Sequence, residues 1–291
     1  MNIKLSISNN KFGKWLPAED SVAFKNMVFC VADGITRDPK LPPKFKGKKI
    51  ADALKYYPNP SGAKKVADIF CNDFITLVRE LKDIKAIFAK INASIANYNN
   101  KQIKLVDYLV NDYFACVACG GYVKNNILYY GYIGDCGLAI FNKDGKLKFQ
   151  TKNGLVDFIN FEDKYLRKKD FNWAMPEYRY LIRSEYRNKK KTYKNKLVSY
   201  GALTGEKSAI SFIHQGKKKL NAGDLVVAYS DGFESIMNYP DFFKAVYNKS
   251  ENNAKKNLVE LSDKLAAKDY EKFGHERSLI ALIIREDNIY G

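Results

Sequence analysis

The chain has 291 residues, 46% of them apolar and 28% charged, which is enough to build a core and excludes a wholly disordered polymer. No apolar run approaches the ~20 residues of a bilayer span, and the start, Met1-Asn-Ile-Lys-Leu-Ser, lacks the apolar stretch of a secretory signal, so neither membrane insertion nor export is expected. Lys and Arg outnumber Asp and Glu by 49 to 32, a net charge of +17. That charge admits a nucleic-acid or membrane-surface binder. Lys and Asn are plentiful throughout, however, and no RGG, RRM or zinc-finger pattern is present. The charge therefore reads as solvated surface, and nucleic-acid binding is not expected.

In chain order, Ser21–Phe24 and Met27–Ala32 read as a strand pair turned at Lys25-Asn26, the second strand stopping at Asp33-Gly34. Thr36 to Pro60 holds five of the eight prolines and is a loop. Ser61 opens a helix whose apolar residues Val66, Phe70, Phe74 and Val78 recur at helical spacing, and a second helix covers about Asp83–Asn97. From Asp112 the period becomes that of strands. Tyr113–Tyr122, Ile127–Ile133, Gly137–Phe141 and Lys146–Gln150 form a meander turned at Lys124-Asn125-Asn126 and Asn142–Gly145.

Residues 156–196 interrupt this pattern with 12 basic, six acidic and nine aromatic residues. They read as an insertion, a flap over a substrate or a solvated excursion, with Trp173 packing inside it. Beyond it, Ala209–His214 reads as a strand, Leu220–Asp224 as a turn, Leu225–Tyr229 as a buried strand ending at Ser230-Asp231-Gly232, about Asn253–Lys268 as a helix and Ser278–Ile284 as the last strand. No repeat or interior linker divides the chain, so a single α+β domain over 1–291 is expected. The five cysteines are odd in number and scattered through apolar segments, which favours free thiols in a reducing cytoplasm. Cys116 and Cys119 resemble a CxxC pair, but on a strand they point to opposite faces and read as core.

Three aspartates occupy equivalent places: Asp33, Asp135 and Asp231 each follow a buried-strand pattern and sit beside a glycine. Clustered acids at a sheet end repel one another and stay ionised only with a compensating cation. Oxygen donors select hard ions such as Mg²⁺ or Mn²⁺, and with only two histidines in the chain a His-based zinc site is not expected.

Glu19-Asp20-Ser21, Val28–Gly34, Tyr129–Cys136 and Gly223–Gly232, in this order and spacing, resemble the motifs of the metal-dependent type 2C (PPM-type) serine/threonine protein phosphatases, over about residues 10–285. The resemblance implies a β-sandwich of two antiparallel sheets flanked by α-helices, with a site for two Mn²⁺ or Mg²⁺ ions at one edge. It implies that Asp33 bridges both metals, the Gly34 carbonyl helps hold one, Asp231 binds the first, Glu19 supports the second and Asp135 holds a third. The implied reaction is hydrolysis of phosphoserine or phosphothreonine in a phosphorylated protein by metal-activated hydroxide.

Departures fall at three places. The family's last metal-binding Asp aligns with His275, with Glu276 beside it; Glu276 is the preferred replacement because a hard ion favours oxygen. The family's phosphate-clamping Arg aligns with Trp15, leaving Lys14 or Arg37 as candidates. A His that many eukaryotic members carry after the first Asp-Gly is Ile35. The altered last ligand makes a pseudophosphatase, a phosphoprotein-binding or regulatory module, the alternative to an active enzyme.

Overall fold

Two five-stranded antiparallel sheets lie face to face in the computed structural model, which describes residues 2–7, 16–42, 44, 52–53, 55–247 and 249–285. The first sheet, ordered β10-β5-β4-β3-β2, contains β2 (Ser21–Lys25), β3 (Val28–Ile35), β4 (Ala115–Lys124), β5 (Ile127–Ile133) and β10 (His214–Lys219). The second, ordered β1-β12-β11-β6-β7, contains β1 (Asn2–Ile7), β6 (Gly137–Phe141), β7 (Leu147–Gln150), β11 (Leu225–Tyr229) and β12 (Arg277–Ile283). Helices α1 (Gly62–Glu80) and α2 (Ile84–Gln102) cover the outer face of the first sheet. In chain order between β7 and β10, the insertion contributes α3 (Val156–Phe161), α4 (Pro176–Glu185) and a short two-stranded ladder of β8 (Thr192–Tyr193) and β9 (Lys196–Leu197). The second sheet is covered by α5 (Asp231–Met237), α6 (Pro240–Val246), α7 (Glu251–Lys268) and α8 (Tyr270–Phe273). The expected sandwich of two antiparallel sheets flanked by helices is therefore observed. Among the described residues no helix is long and apolar enough to cross a membrane.

Strand periodicity builds the layers. On β3, Phe29 and Val31 enter the core between the sheets, where they meet Val226, Ala228 and Ile280. Cys30 and Ala32 face the other way, onto Phe70, Phe74 and Phe88 of the two covering helices. Those three rings pack at centroid distances of 5.6, 5.1 and 6.0 Å, and each such buried side chain contributes roughly 1.5–3 kcal/mol. Ser61 caps α1 by accepting from the Lys64 N–H at 3.0 Å. The same alternation separates Cys116 (helix side) from Cys119 (between the sheets), and all five cysteines are buried and free of disulfides.

Several elements differ from the sequence expectation. The strand that was to stop at Asp33-Gly34 continues to Ile35, because Asp33 and Gly34 pair with Val117 and Cys116 of β4. The first turn is Asn26-Met27, both at positive φ, rather than Lys25-Asn26. Residues 207–212 form a 3₁₀ turn instead of a strand, and the strand follows as β10, His-Gln-Gly-Lys-Lys-Lys. As an edge strand with mostly exposed residues, β10 has no apolar alternation to betray it. Where the strand ends, Asp231 opens the helix α5, and α6 and β1 are additional elements.

The insertion has its own small core of Phe158, Tyr178, Ile182, Tyr186, Val198 and Tyr200. Trp173 packs edge-on against Tyr178, with centroids 5.8 Å apart. Three arginines spaced one helical turn apart bind the insertion to the sandwich. Arg179 and Arg183 both hold Asp38, at 2.7 and 2.9 Å, and Arg187 grips the buried Asp112 through both oxygens at 2.8 and 2.5 Å. In the basic run that follows, Lys189 faces Glu206 at 3.5 Å and Lys191 faces Glu185 at 2.7 Å.

Candidate metal centre

Asp33 is next in the Phe29, Val31 series, so the pleat that buries those residues also directs its carboxylate toward the gap between the sheets. Gly34 takes the opposite face. A Cβ there would lie 2.9 Å from the Ala63 main chain and from the Glu19 carbonyl oxygen, so only glycine lets β3, the start of α1 and the Glu19 segment meet. Asp135 follows Gly134, whose φ of +78° turns the chain from one sheet to the other. Asp231 sits in the first turn of α5, directly after Ser230.

These aspartates share one edge of the sandwich with Glu19, Asp20 and Glu276. Burial holds the Asp33 carboxyl well above the usual range, reinforced by Asp20, Asp231, Asp135 and Glu276. Asp20 is pushed up to about 8 by burial and then by Glu276, with Ser230 pulling the other way. Burial followed by Asp231 raises Asp135 to about 7. Asp231 is exposed as a residue, yet surrounding protein desolvates its carboxyl enough to raise it as well, with His275 opposing.

Asp20 was not singled out as a site residue from the sequence. One of its oxygens accepts from the Ser230 hydroxyl at 2.8 Å, while Oδ1 is buried without a hydrogen-bond partner. A buried carboxylate oxygen without a donor is satisfied by a cation or a proton. The oxygen-only donors Asp20, Asp33, Asp135 and Asp231 therefore suit a hard divalent ion in chemical type and in charge. Among the described residues no three His, Cys, Asp or Glu side chains converge on one point as they stand, so the acids surround the edge without closing on a shared centre.

The two glutamates of the expected ligand set are engaged by protein. Glu19 accepts from Thr36 at 2.5 Å, from Tyr57 at 2.9 Å and from Ser61, which anchors α1 and the loop after β3 to the acidic edge. Glu276 accepts from the main-chain N–H of Glu19 at 3.1 and 3.0 Å and of Asp20 at 3.2 Å. The preference for Glu276 as the last metal ligand thus meets a carboxylate already bound to backbone amides. His275 is exposed, and its Nε2 lies 2.5 Å from the Glu271 carbonyl oxygen. Arg37, expected as a phosphate clamp, instead donates to the Asp112 carbonyl at 2.5 Å and stacks on Phe114 at 3.5 Å, a position that desolvation makes less favourable for its charge. Lys14, with Trp15, lies outside the described residues.

Beside Asp33 and Asp135 opens a cavity of about 440 Å³, roofed by Ile159 and Trp173 of the insertion and by Leu155 just before it. Glu162, buried beneath the roof, accepts from Trp173 at 2.6 Å and Tyr178 at 2.7 Å. The aromatic content of residues 156–196 was the sequence signal for this roof. Its placement over the acids depends on Asp38 and Asp112, which no local pattern marks.

No protein-family model and no curated protein matches the sequence. Solved structures do. The serine/threonine phosphatase PstP of Mycobacterium tuberculosis superposes with a TM-score of 0.60 at 15% identity, over 98% of each chain. The PstP catalytic domain in complex with two manganese ions gives 0.58 at 17% identity, again over 98% of each chain. The serine/threonine phosphatase of S. agalactiae gives 0.55 at 12% identity, over 98% of this chain and 99% of its own. Identities this low speak to architecture, and from end to end that architecture is the fold of the PPM-type serine/threonine phosphatases.

Proposed function

We propose that this protein is a metal-dependent phosphoprotein phosphatase that hydrolyses phosphoserine and phosphothreonine with Mn²⁺ or Mg²⁺. The observation that carries the reading is the gathering of Asp20, Asp135, Asp231 and Glu276 around Asp33 at one edge of a sandwich shared with such enzymes. In this reading Asp33, Asp231 and the Gly34 carbonyl hold two ions, Asp135 holds a third, and Asp20 supplies an unpartnered oxygen. When bound, such ions neutralise a phosphomonoester dianion and lower the pKa of a water so that hydroxide forms near neutral pH.

The rest falls to the chain itself. Ser230 orients Asp20, and Glu276 fixes the Glu19–Asp20 backbone beside Asp33. Glu19, held by three hydroxyls, keeps the start of α1 against the same edge. The apolar roof limits water around the reacting group. No protein nucleophile is required. The five buried free thiols suit a reducing cytoplasm, where one such domain would act on phosphorylated proteins in signalling.

Hydrolysis of p-nitrophenyl phosphate with and without Mn²⁺ tests the proposal. Activity should require the metal and should vanish in Asp33→Ala and Asp231→Ala; full Mn²⁺-dependent activity in either variant removes the site assignment. A specific observation supports a second reading, a pseudophosphatase that binds phosphoproteins: Glu276 is bound to backbone amides and the His275 ring lies against the Glu271 carbonyl, so neither candidate for the last ligand is free of a protein partner. Isothermal titration with Mn²⁺ separates the two. Two bound ions with turnover support the enzyme, and absence of binding supports the module.

A further inference from the structure

The cavity beside Asp33 and Asp135 is larger than a phosphate needs. Its volume of about 440 Å³ lies within the roughly 300–1,000 Å³ of sites that enclose small ligands. A phosphate at the acidic end leaves most of it unfilled. Ile35 of β3, Leu155 and Ile159 beside and within α3, and the Trp173 ring supply apolar wall. These walls are held in place. The Trp173 Nε1–H donates to Glu162 at 2.6 Å, and the same oxygen accepts from Tyr178 at 2.7 Å. The cation in the wall, Arg167, is matched by Glu162 at 3.2 Å and by Asp163 at 3.1 Å.

Resting on the phosphatase reading, we infer that this cavity selects phosphopeptides with a large apolar residue, of leucine or phenylalanine size, next to the phosphorylated serine or threonine. The cavity is continuous with the acidic edge, so its occupant belongs to the molecule whose phosphate is bound there. An apolar neighbour removes its surface from water against Leu155, Ile159 and Trp173. An acidic neighbour meets the opposite conditions. It would face Asp33 and Asp135, and its carboxylate would be desolvated beside an arginine whose charge is already compensated.

The test uses phosphopeptides that differ only in the flanking residue, Leu or Asp, at each side of phosphoserine. Kd is read by fluorescence anisotropy with Mn²⁺ present, and kcat/KM by phosphate release. The Leu peptide should be favoured by about 10- to 100-fold, the worth of burying one such side chain. Ile159→Asp, at a partly exposed position that tolerates a polar residue, should reduce that ratio at least about tenfold. Val259→Asp, on the far helix α7, should keep the wild-type ratio. Leu and Asp peptides bound within about threefold of each other, or an equal preference for the unphosphorylated peptides, would overturn the inference. Failure of the phosphatase reading looks different: neither peptide nor p-nitrophenyl phosphate is hydrolysed, while the Kd ratio still decides for or against the cavity.

Discussion

The contact between Arg187 and Asp112 offers a measurable perturbation of the insertion. Both side chains are buried, at 1% and 2% exposure, and the guanidinium donates to both carboxylate oxygens. Burial works against the charge on Arg187, and Asp112 outweighs it, so the pKa of the arginine is raised. Replacing Asp112 by alanine strands a buried cation and also deprives the Tyr113 N–H of its acceptor at 2.8 Å. Removing one partner of a buried pair costs about 3–5 kcal/mol, whereas the exposed pair Lys90–Glu80 is worth about 0–1 kcal/mol. Urea unfolding followed by far-UV circular dichroism should therefore show a large fall in midpoint for Asp112→Ala at unchanged slope, and little change for Glu80→Ala. The double variant Asp112→Leu/Arg187→Met, which removes both charges, should recover much of the loss. A single-variant effect within about 1 kcal/mol of wild type would refute the claim that this pair pins the insertion to the sandwich.

Three further outcomes are expected. Asp20 and Asp135 are pushed up to about 8 and about 7, and a carboxyl raised on folding contributes stability below its unfolded value and loses it as pH rises through the folded one. In chelator, Tm should accordingly fall between about pH 5 and pH 8, and Mn²⁺ should restore it most at the alkaline end; a flat profile contradicts the clustering. Gly134→Ala places a Cβ 2.2 Å from the Val117 side chain at a φ of +78°, and should cost about 2–5 kcal/mol in a thermal or urea melt. Glu276→Ala leaves the amides of Glu19 and Asp20 without their acceptor and should destabilise by about 1–3 kcal/mol, while Glu276→Gln keeps an acceptor and should hold Mn²⁺ affinity nearly constant by titration calorimetry. A collapse of affinity in Glu276→Gln would return this residue to the ligand set.

Residues buried on both faces were the most legible in the sequence. β6 and β11 were read to the residue because each is an unbroken apolar run in the middle of the second sheet. The acids Asp33, Asp135 and Asp231 were legible for a related reason: each follows such a run, and a strand end carries its side chain to the rim. β1 shows Ile3, Leu5 and Ile7 in strict alternation, yet it is a strand only because β12 pairs with it from the opposite end of the chain. The lysines of β10 mask its pairing with β5, since an edge strand exposed to water needs no apolar face. Asp20 acquires its place from Ser230 and Glu276, and the roof over the cavity from Asp38 and Asp112. Contacts between segments so remote leave no periodic trace.

The antiparallel register of β1 on β12, from Asn2 opposite Leu282 to Ile7 opposite Arg277, sets a schedule for biogenesis. β1 has no strand partner until β12, far later in the chain, has been synthesised. Glu276, which ties down the Glu19–Asp20 backbone, emerges at the same late moment. The nascent chain can assemble β2 to β5 with α1 and α2 during translation, but the acidic rim is completed only once β12 has also been made.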